Sequence, residues 1–395
     1  MKIEKCKWKY GAQTPLMFMI DDYCNKYMID KNDGNYLGSD WGGRCRAENS
    51  FLKFIEDELL VPYPFLKITM FLVVNDRAPI TEHGLKSYAK GINSDEEFVK
   101  ILNELEQNPR FELAYHGLTH GKVVGNDFMQ EWALFHTLED AKKSIEIGKE
   151  TYREITGRSF TGGKYCGYAA NDISDISIVN GGFKWWCRHW DMLLLKGVND
   201  KGLNLDIDDF DGVVDIPSTV DGGLYSLRKY YGQSIRQVAR SLYYLIKYRL
   251  TIEGIIDLLV ENGFPVSIQE HTSPMREDNK RQTPNIIDDI SNIKYILEYM
   301  KKYRIWYATG NEIADYYNIF KNTEINMRQS DLEVIISDKS IIGKSLWVQA
   351  GANEKIRLLN AVNNNECKKI VDDKGLGYFE INLYDEKSIY KIVTN

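Results

Sequence analysis

Two acidic residues, Asp21 and Asp22, close the apolar run PLMFMI, and two histidines, His116 and His120, follow the run FELAY. A later run, FPVSIQ, ends in Glu270 and His271. Carboxylate oxygen and imidazole nitrogen are common donors to first-row divalent ions, and a spacing of four brings two imidazoles to one ion across a turn. Gly117 and Gly121 suggest a loop opening near His116, not the interior of a helix. One carboxylate and two neutral imidazoles leave coordination positions open for water and substrate, as catalysis requires. Zinc fits these donors best, and other first-row divalent ions would also be held. An acidic pair after a strand can equally cap a helix or solvate a loop, so the histidine pair carries more weight than Asp21-Asp22 alone.

Elements must bring these residues together. PLMFMI (15–20), KITMFLVV (67–74), FELAY (111–115), GVVDIPS (212–218), FPVSIQ (264–269) and IWYAT (305–309) read as buried strands. Helical patterns lie between them at 95–107, 137–157, 237–263 and 286–303. Ser94 is placed to cap the first, and Gly157 and Gly263 fit positions just past helix ends. Strand and helix alternating to about residue 320 predicts an α/β fold with a mostly parallel sheet, either a barrel or doubly wound. In such folds side chains at the C-terminal strand ends converge. Beyond about residue 325 the runs LEVIISD, SLWVQAG, IRLLNAV, YFEINLY and SIYKIVT alternate and are separated by turn residues. That pattern predicts a small all-β domain, 325–395, of sandwich type after a catalytic domain, 1–324.

Composition narrows the function. The 395 residues carry a net charge of −7 from mixed signs spread along the chain, which argues against nucleic acid as a partner. The longest apolar stretches, such as ITMFLVV, are too short to span a bilayer. The first 22 residues show no uninterrupted apolar segment or cleavage site of a signal peptide, so a cytoplasmic protein is expected. Cys6, Cys24, Cys45, Cys166, Cys187 and Cys367 form no C-x-x-C pair and read as reduced thiols.

The order Asp-Asp, a KITMFLVV strand, then His-x-x-x-His resembles the NodB-like polysaccharide deacetylases, carbohydrate esterase family 4. The likeness continues through a helix ending in EITGRSF, an aromatic Gly-containing loop and a late strand ending in His, over about residues 15–320. It implies a distorted (β/α) barrel and a metal-dependent deacetylase acting on an acetylated carbohydrate. Asp21 would then be the general base, and Asp22, His116 and His120 the ligands of one divalent ion, most simply Zn2+. His271 would be the general acid that protonates the leaving amine.

The departures define further candidates. The family carries an Arg-x-Pro-x-Gly-like segment where this chain has GGKYCGYAAN. Lys164 stands for the arginine and Tyr168 for the residue whose N–H binds the oxyanion, or the stretch is an aromatic turn. Glu270 replaces an apolar residue before the late histidine and either orients His271 or turns away into a salt bridge. Asp191 is the candidate for tuning the acid, and Trp190 for stacking on a sugar ring. Of the three indoles in that segment, Trp185, Trp186 and Trp190, two read better as core, and His83, His136 and His189 read as structural. In the long 24–51 segment, Trp41, Arg44 and Arg46 either meet an anionic substrate or belong to a solvated loop. Two other readings use the same residues: hydrolysis of another small amide or cyclic imide, and glycan binding without turnover on a degenerate barrel.

Overall fold

A computed structural model describes residues 2–25, 46, 48, 50–76, 89–190, 205–223, 234–236, 238–239, 242–243, 251–272, 282–351 and 356–394. The strands in chain order begin β1 (Ile3–Lys5), β2 (Thr14–Tyr23), β3 (Ile68–Leu72), β4 (Phe111–Tyr115), β5 (Gly121–Val124) and β6 (Asp127–Gln130). They continue with β7 (Gly162–Lys164), β8 (Trp185–Cys187), β9 (Asp208–Phe210), β10 (Val213–Asp215) and β11 (Val266–His271). The chain divides into a larger unit, Leu16–Lys301 with Tyr307–Asn311, and a smaller one, Met1–Pro15, Lys302–Trp306 and Glu312–Asn395. A single cut at 324/325 therefore does not separate the units.

The larger unit is built on a sheet in the order β11-β2-β3-β4-β7-β8-β10-β9. Every ladder from β11 to β10 is parallel, and only β9 turns back antiparallel against β10. Strands buried on both faces read as continuous apolar runs, and β2 and β3 are buried along their whole length. Single bridges, Trp190↔Ser218 and Val220↔Ile268, tie the stretch after β10 to both β8 and β11. Among the described residues no continuous ladder closes the sheet, so the barrel expected from the resemblance is reduced here to a strongly parallel α/β sheet.

β7 and β8 were not among the expected strands. Each has only three residues, too few for a periodic signal, and burial rather than pattern holds them. Gly162 and Gly163 lie so close to Trp185 and Trp186 that an added Cβ would come within 2.0 and 2.3 Å of their rings. Both indoles are fully buried, as core residues should be.

Helix ends follow local chemistry. Asp95, not Ser94, caps the helix Glu96–Gln107, accepting from the Glu97 and Phe98 N–H groups; Ser94 Oγ instead donates to the Gly91 carbonyl. The helix Leu138–Thr156 begins at Thr137, whose hydroxyl accepts from Asp140 N–H, and ends at Gly157 with φ 71°. It buries Ala141, Ile145, Gly148 and Tyr152 on one face, and Tyr152 stacks on Phe160 at 3.9 Å. The helix expected over 237–263 is described from Ile252 to Glu261, with Thr251 as its cap. Its earlier part lies largely outside the described residues.

Among the described residues, the smaller unit holds two four-stranded antiparallel sheets. Residues 3–5 pair with 348–350, so the N-terminal strand is the edge of a sheet formed mainly by the last fifty residues.

Candidate metal centre and its neighbours

Strand β2 runs regularly against β3 as far as Ile20↔Met70, then resumes at Tyr23↔Leu72. Asp21 and Asp22 together oppose one residue, a β-bulge, and Asp22 takes up the extra residue with φ 64°. A regular strand would send successive side chains to opposite faces. The bulge instead brings both carboxylates near enough to His116 for the charge of each to act on its ring.

His116 follows β4 directly, and a tight turn leads to His120, whose φ is 71°. Glu131 supports this turn. The N–H groups of Leu118, Thr119 and His120 all donate to its carboxylate, at 2.9, 2.8 and 2.9 Å. The hairpin β5–β6 brings Glu131 back beside the turn, and Ser144 of the 138–156 helix donates a further hydrogen bond at 2.9 Å. Gly117 has φ 85°, and a Cβ there would lie 2.6 Å from Glu131 Oε2.

Asp22 Oδ1 lies 3.0 Å from His120 Nε2 and 3.7 Å from His116 Nε2, with all three residues buried. Two donors each about 2.0–2.1 Å from one tetrahedral ion sit about 3.3–3.4 Å apart, a separation these two distances bracket. His116 Nδ1 is 3.1 Å from the Lys164 carbonyl, which can only accept, so Nδ1 carries the proton and Nε2 keeps its lone pair. Burial, its largest cause, holds the His116 imidazole down to about 4, so the ring is neutral at pH 7 as a ligand must be. His120 Nδ1 is buried with no hydrogen-bond partner among the described residues. The donor set therefore fits a divalent ion.

Cys166 adds a possible sulfur donor. Its thiol and the two imidazoles offer ligand atoms all within 4.8 Å of one another, while Sγ donates to the His116 carbonyl at 3.1 Å. No spacing in the sequence signals it, since it lies 46 residues beyond His120 on another strand end.

Asp21 is engaged differently. Lys164 Nζ sits 3.0 Å from Oδ1 and 2.8 Å from Oδ2, with the lysine wholly buried. Gln269 Nε2 adds a hydrogen bond to Oδ2 at 3.3 Å. Gln269 is a site neighbour that motif reading passed over; its signal is its place two residues before His271 on a strand, hence on the same face. His271 is half-buried, opposite Asp21 in the β2–β11 ladder, and its Nδ1 lies 2.8 Å from the Pro284 carbonyl. Burial lowers its pKa, so the ring is neutral and carries its proton on Nδ1.

Other candidates are placed less directly. The Tyr168 N–H donates to the Tyr165 carbonyl at 3.1 Å, which takes it away from the oxyanion role. Its ring instead lies 4.6 Å below the Lys164 ammonium, and its hydroxyl pairs with Ser218 Oγ at 2.8 Å. Trp190 stacks on Tyr168 at 5.7 Å. Glu270 points to the opposite face of β11 from His271 and accepts from Gly222 N–H at 2.7 Å, so it does not orient the histidine. Arg46 pairs with Glu56 and Glu104 at the surface, as a solvated loop residue would. Asp191, Trp41, Arg44 and His83 lie outside the described residues. His136 is exposed, and His189 Nε2 faces Asp215 at 3.7 Å.

Among solved structures the chain is similar to the PuuE allantoinase, at 14% identity over 80% of this chain and 94% of that one, TM-score 0.45. It is also similar to the chitin deacetylase of Colletotrichum lindemuthianum, at 10% identity over 76% and 88%, TM-score 0.38. A GH57 branching enzyme from Thermococcus kodakaraensis matches at 10% identity over 77% and 71%, TM-score 0.46. No family model matches the sequence, and no curated protein does. At these identities and TM-scores, the chemistry has to be read from this chain's own site. Among the described residues, no helix is long and apolar enough to cross a membrane.

Proposed function

We propose that the chain is a metal-dependent hydrolase that cleaves the acyl C–N bond of an N-acylated sugar, N-acetyl in the simplest case. The observation that supports this is the convergence of Asp22, His116 and His120 beside a separate acid–base pair, Asp21 and His271. Asp22, His116 and His120 would hold the ion, with zinc the best match to nitrogen, oxygen and nearby sulfur donors. When bound, a divalent ion lowers the pKa of water and polarises the acyl carbonyl.

The chain's own residues handle the protons. Asp21, held between Lys164 and Gln269, accepts a proton from the attacking water at a carboxylate oxygen. The Pro284 carbonyl fixes the His271 ring through Nδ1–H, which leaves the Nε2 lone pair free to take up the proton released from the water and pass it to the departing nitrogen. Lys164 keeps Asp21 from rotating away and balances its charge.

The experiment is metal content by elemental analysis, with acetate release from N-acetylated glucosamine oligomers, for wild type, His116→Ala and His120→Ala. About one ion per chain, lost together with activity in both variants, is expected. Acetate release that survives in either variant would refute the proposal. A second reading, hydrolysis of a small amide or cyclic imide, gains from the Tyr168 N–H being already bonded, because the oxyanion donor expected for deacetylation is missing at that position.

A further inference from the structure

Gln269 carries a second atom whose role is open. It is wholly buried, and its side-chain amide can face Asp21 in only one sense: nitrogen donates to the carboxylate, whereas a carbonyl there would repel it. Oε1 is then turned elsewhere, and it has no hydrogen-bond partner among the described residues. One pleat further along the same face, Ser267 Oγ is also buried without a partner among them. Buried polar atoms in folded proteins are nearly always paired, and an unpaired acceptor beside reacting groups is poised for a ligand donor.

Depth decides which part of a substrate meets it. Asp21 pairs with His271, and Met19 with Gln269, so Gln269 lies one pleat below the acid–base level, toward the sheet interior. On the hydrolase reading, a substrate entering from the strand ends would leave its sugar outside and send its acyl substituent toward this level. Met19, the ladder partner of Gln269, is buried at this level, with Ser218 Oγ 3.4 Å from its sulfur. An acetyl methyl would leave the buried Gln269 acceptor facing carbon and still unpaired, without the hydrogen bond that a donor would supply.

We infer that this site prefers an acyl group carrying a hydrogen-bond donor in place of the acetyl methyl, read by the side-chain carbonyl of Gln269. An amino (carbamoyl) substituent has the size of the acetyl methyl, a hydroxymethyl (glycolyl) one is larger by one oxygen, and both supply that donor. The inference rests on the hydrolase reading above. The reaction is unchanged in kind: water adds its oxygen to the acyl carbon, the C–N bond breaks, and the amine takes the proton.

The test compares kcat/KM on N-glycolyl-, N-carbamoyl- and N-acetylglucosamine for the metal-loaded wild type and Gln269→Leu. The Leu variant also loses the hydrogen bond to Asp21, which slows all three substrates alike, so the ratio of donor-bearing substrate to acetyl is the readout. Wild type is expected to favour glycolyl or carbamoyl by roughly ten-fold or more, and the variant to lose that preference. Which of the two is favoured tells hydroxyl from amine. Preference for acetyl in wild type, or a ratio unchanged by the substitution, overturns the inference while leaving the hydrolase reading intact. If none of the three is cleaved by metal-loaded wild type, the hydrolase reading falls and this inference with it. Should Gln269→Leu not fold, Gln269→Met gives the same comparison with a side chain of similar length.

Discussion

Lys164 serves two partners with different parts of one residue. Its carbonyl holds the His116 ring, and its ammonium, wholly buried, is neutralised by Asp21. Breaking a buried ion pair from one side strands the other charge, which costs more than the pair contributes. Lys164→Met is therefore expected to lower unfolding free energy by about 3–5 kcal/mol, and adding Asp21→Asn should restore part of that loss. Denaturant melts of both variants check this; a double variant less stable than Lys164→Met would contradict it. At this scale the ligand candidates were readable because histidine is rare in the chain and its spacing is local. Gln269 was not, because a buried amide has no motif and its meaning depends on which face of β11 it shares.

The turn from His116 to His120 is an element whose shape is imposed from outside. Its three consecutive N–H groups converge on Glu131, and Gly117 makes room for that carboxylate. Asp22, His120 and Tyr168 all have positive φ, a conformation that costs non-glycine residues about 1–3 kcal/mol each and persists only where packing enforces it. Glu131→Gln keeps the volume but removes the charge and half the acceptor capacity. It should lower stability by about 1–3 kcal/mol and metal affinity by 10–100-fold in a chelator competition. Gly117→Ala should weaken metal binding in the same assay, since its Cβ would displace Glu131. Unchanged affinity in both would mean the turn holds its shape without them. The sequence shows a loop at Gly117 and Gly121 but not its brace, because Glu131 acts across a hairpin and a helix contact.

In the whole molecule, a parallel sheet gathers the C-terminal ends of β2, β4, β7 and β11, and it also buries charge away from the proposed centre. Asp215 at the end of β10 is pushed up to about 7, chiefly by burial, with Arg188 opposing. The folded chain thus keeps a proton on Asp215 that the unfolded chain has released near the ordinary 3.8. Between those values the native state binds more protons, so this group's contribution to stability falls as pH rises and is constant above about 7. Asp215→Asn should match wild type near pH 4 and exceed it by up to a few kcal/mol near pH 8. Urea titrations at both pH values test the sign, and a variant less stable at pH 8 would refute it.

What the sequence determined by itself was whatever depends on near neighbours. Alternating strands and helices, the Asp-Asp and His-x-x-x-His pairs, and the helix stops at Gly157 and Gly263 all follow from local sterics and periodicity. Tertiary structure decided the rest. It turned three-residue stretches into strands by burying Trp185 and Trp186, and it added residues 3–5 to a sheet of the smaller unit. It also closed the distance between Lys164 and Asp21, 143 residues apart in the chain. The reason is that these contacts are stable only where water has been excluded, and which groups share a dry interior is a property of the assembled sheet rather than of any segment.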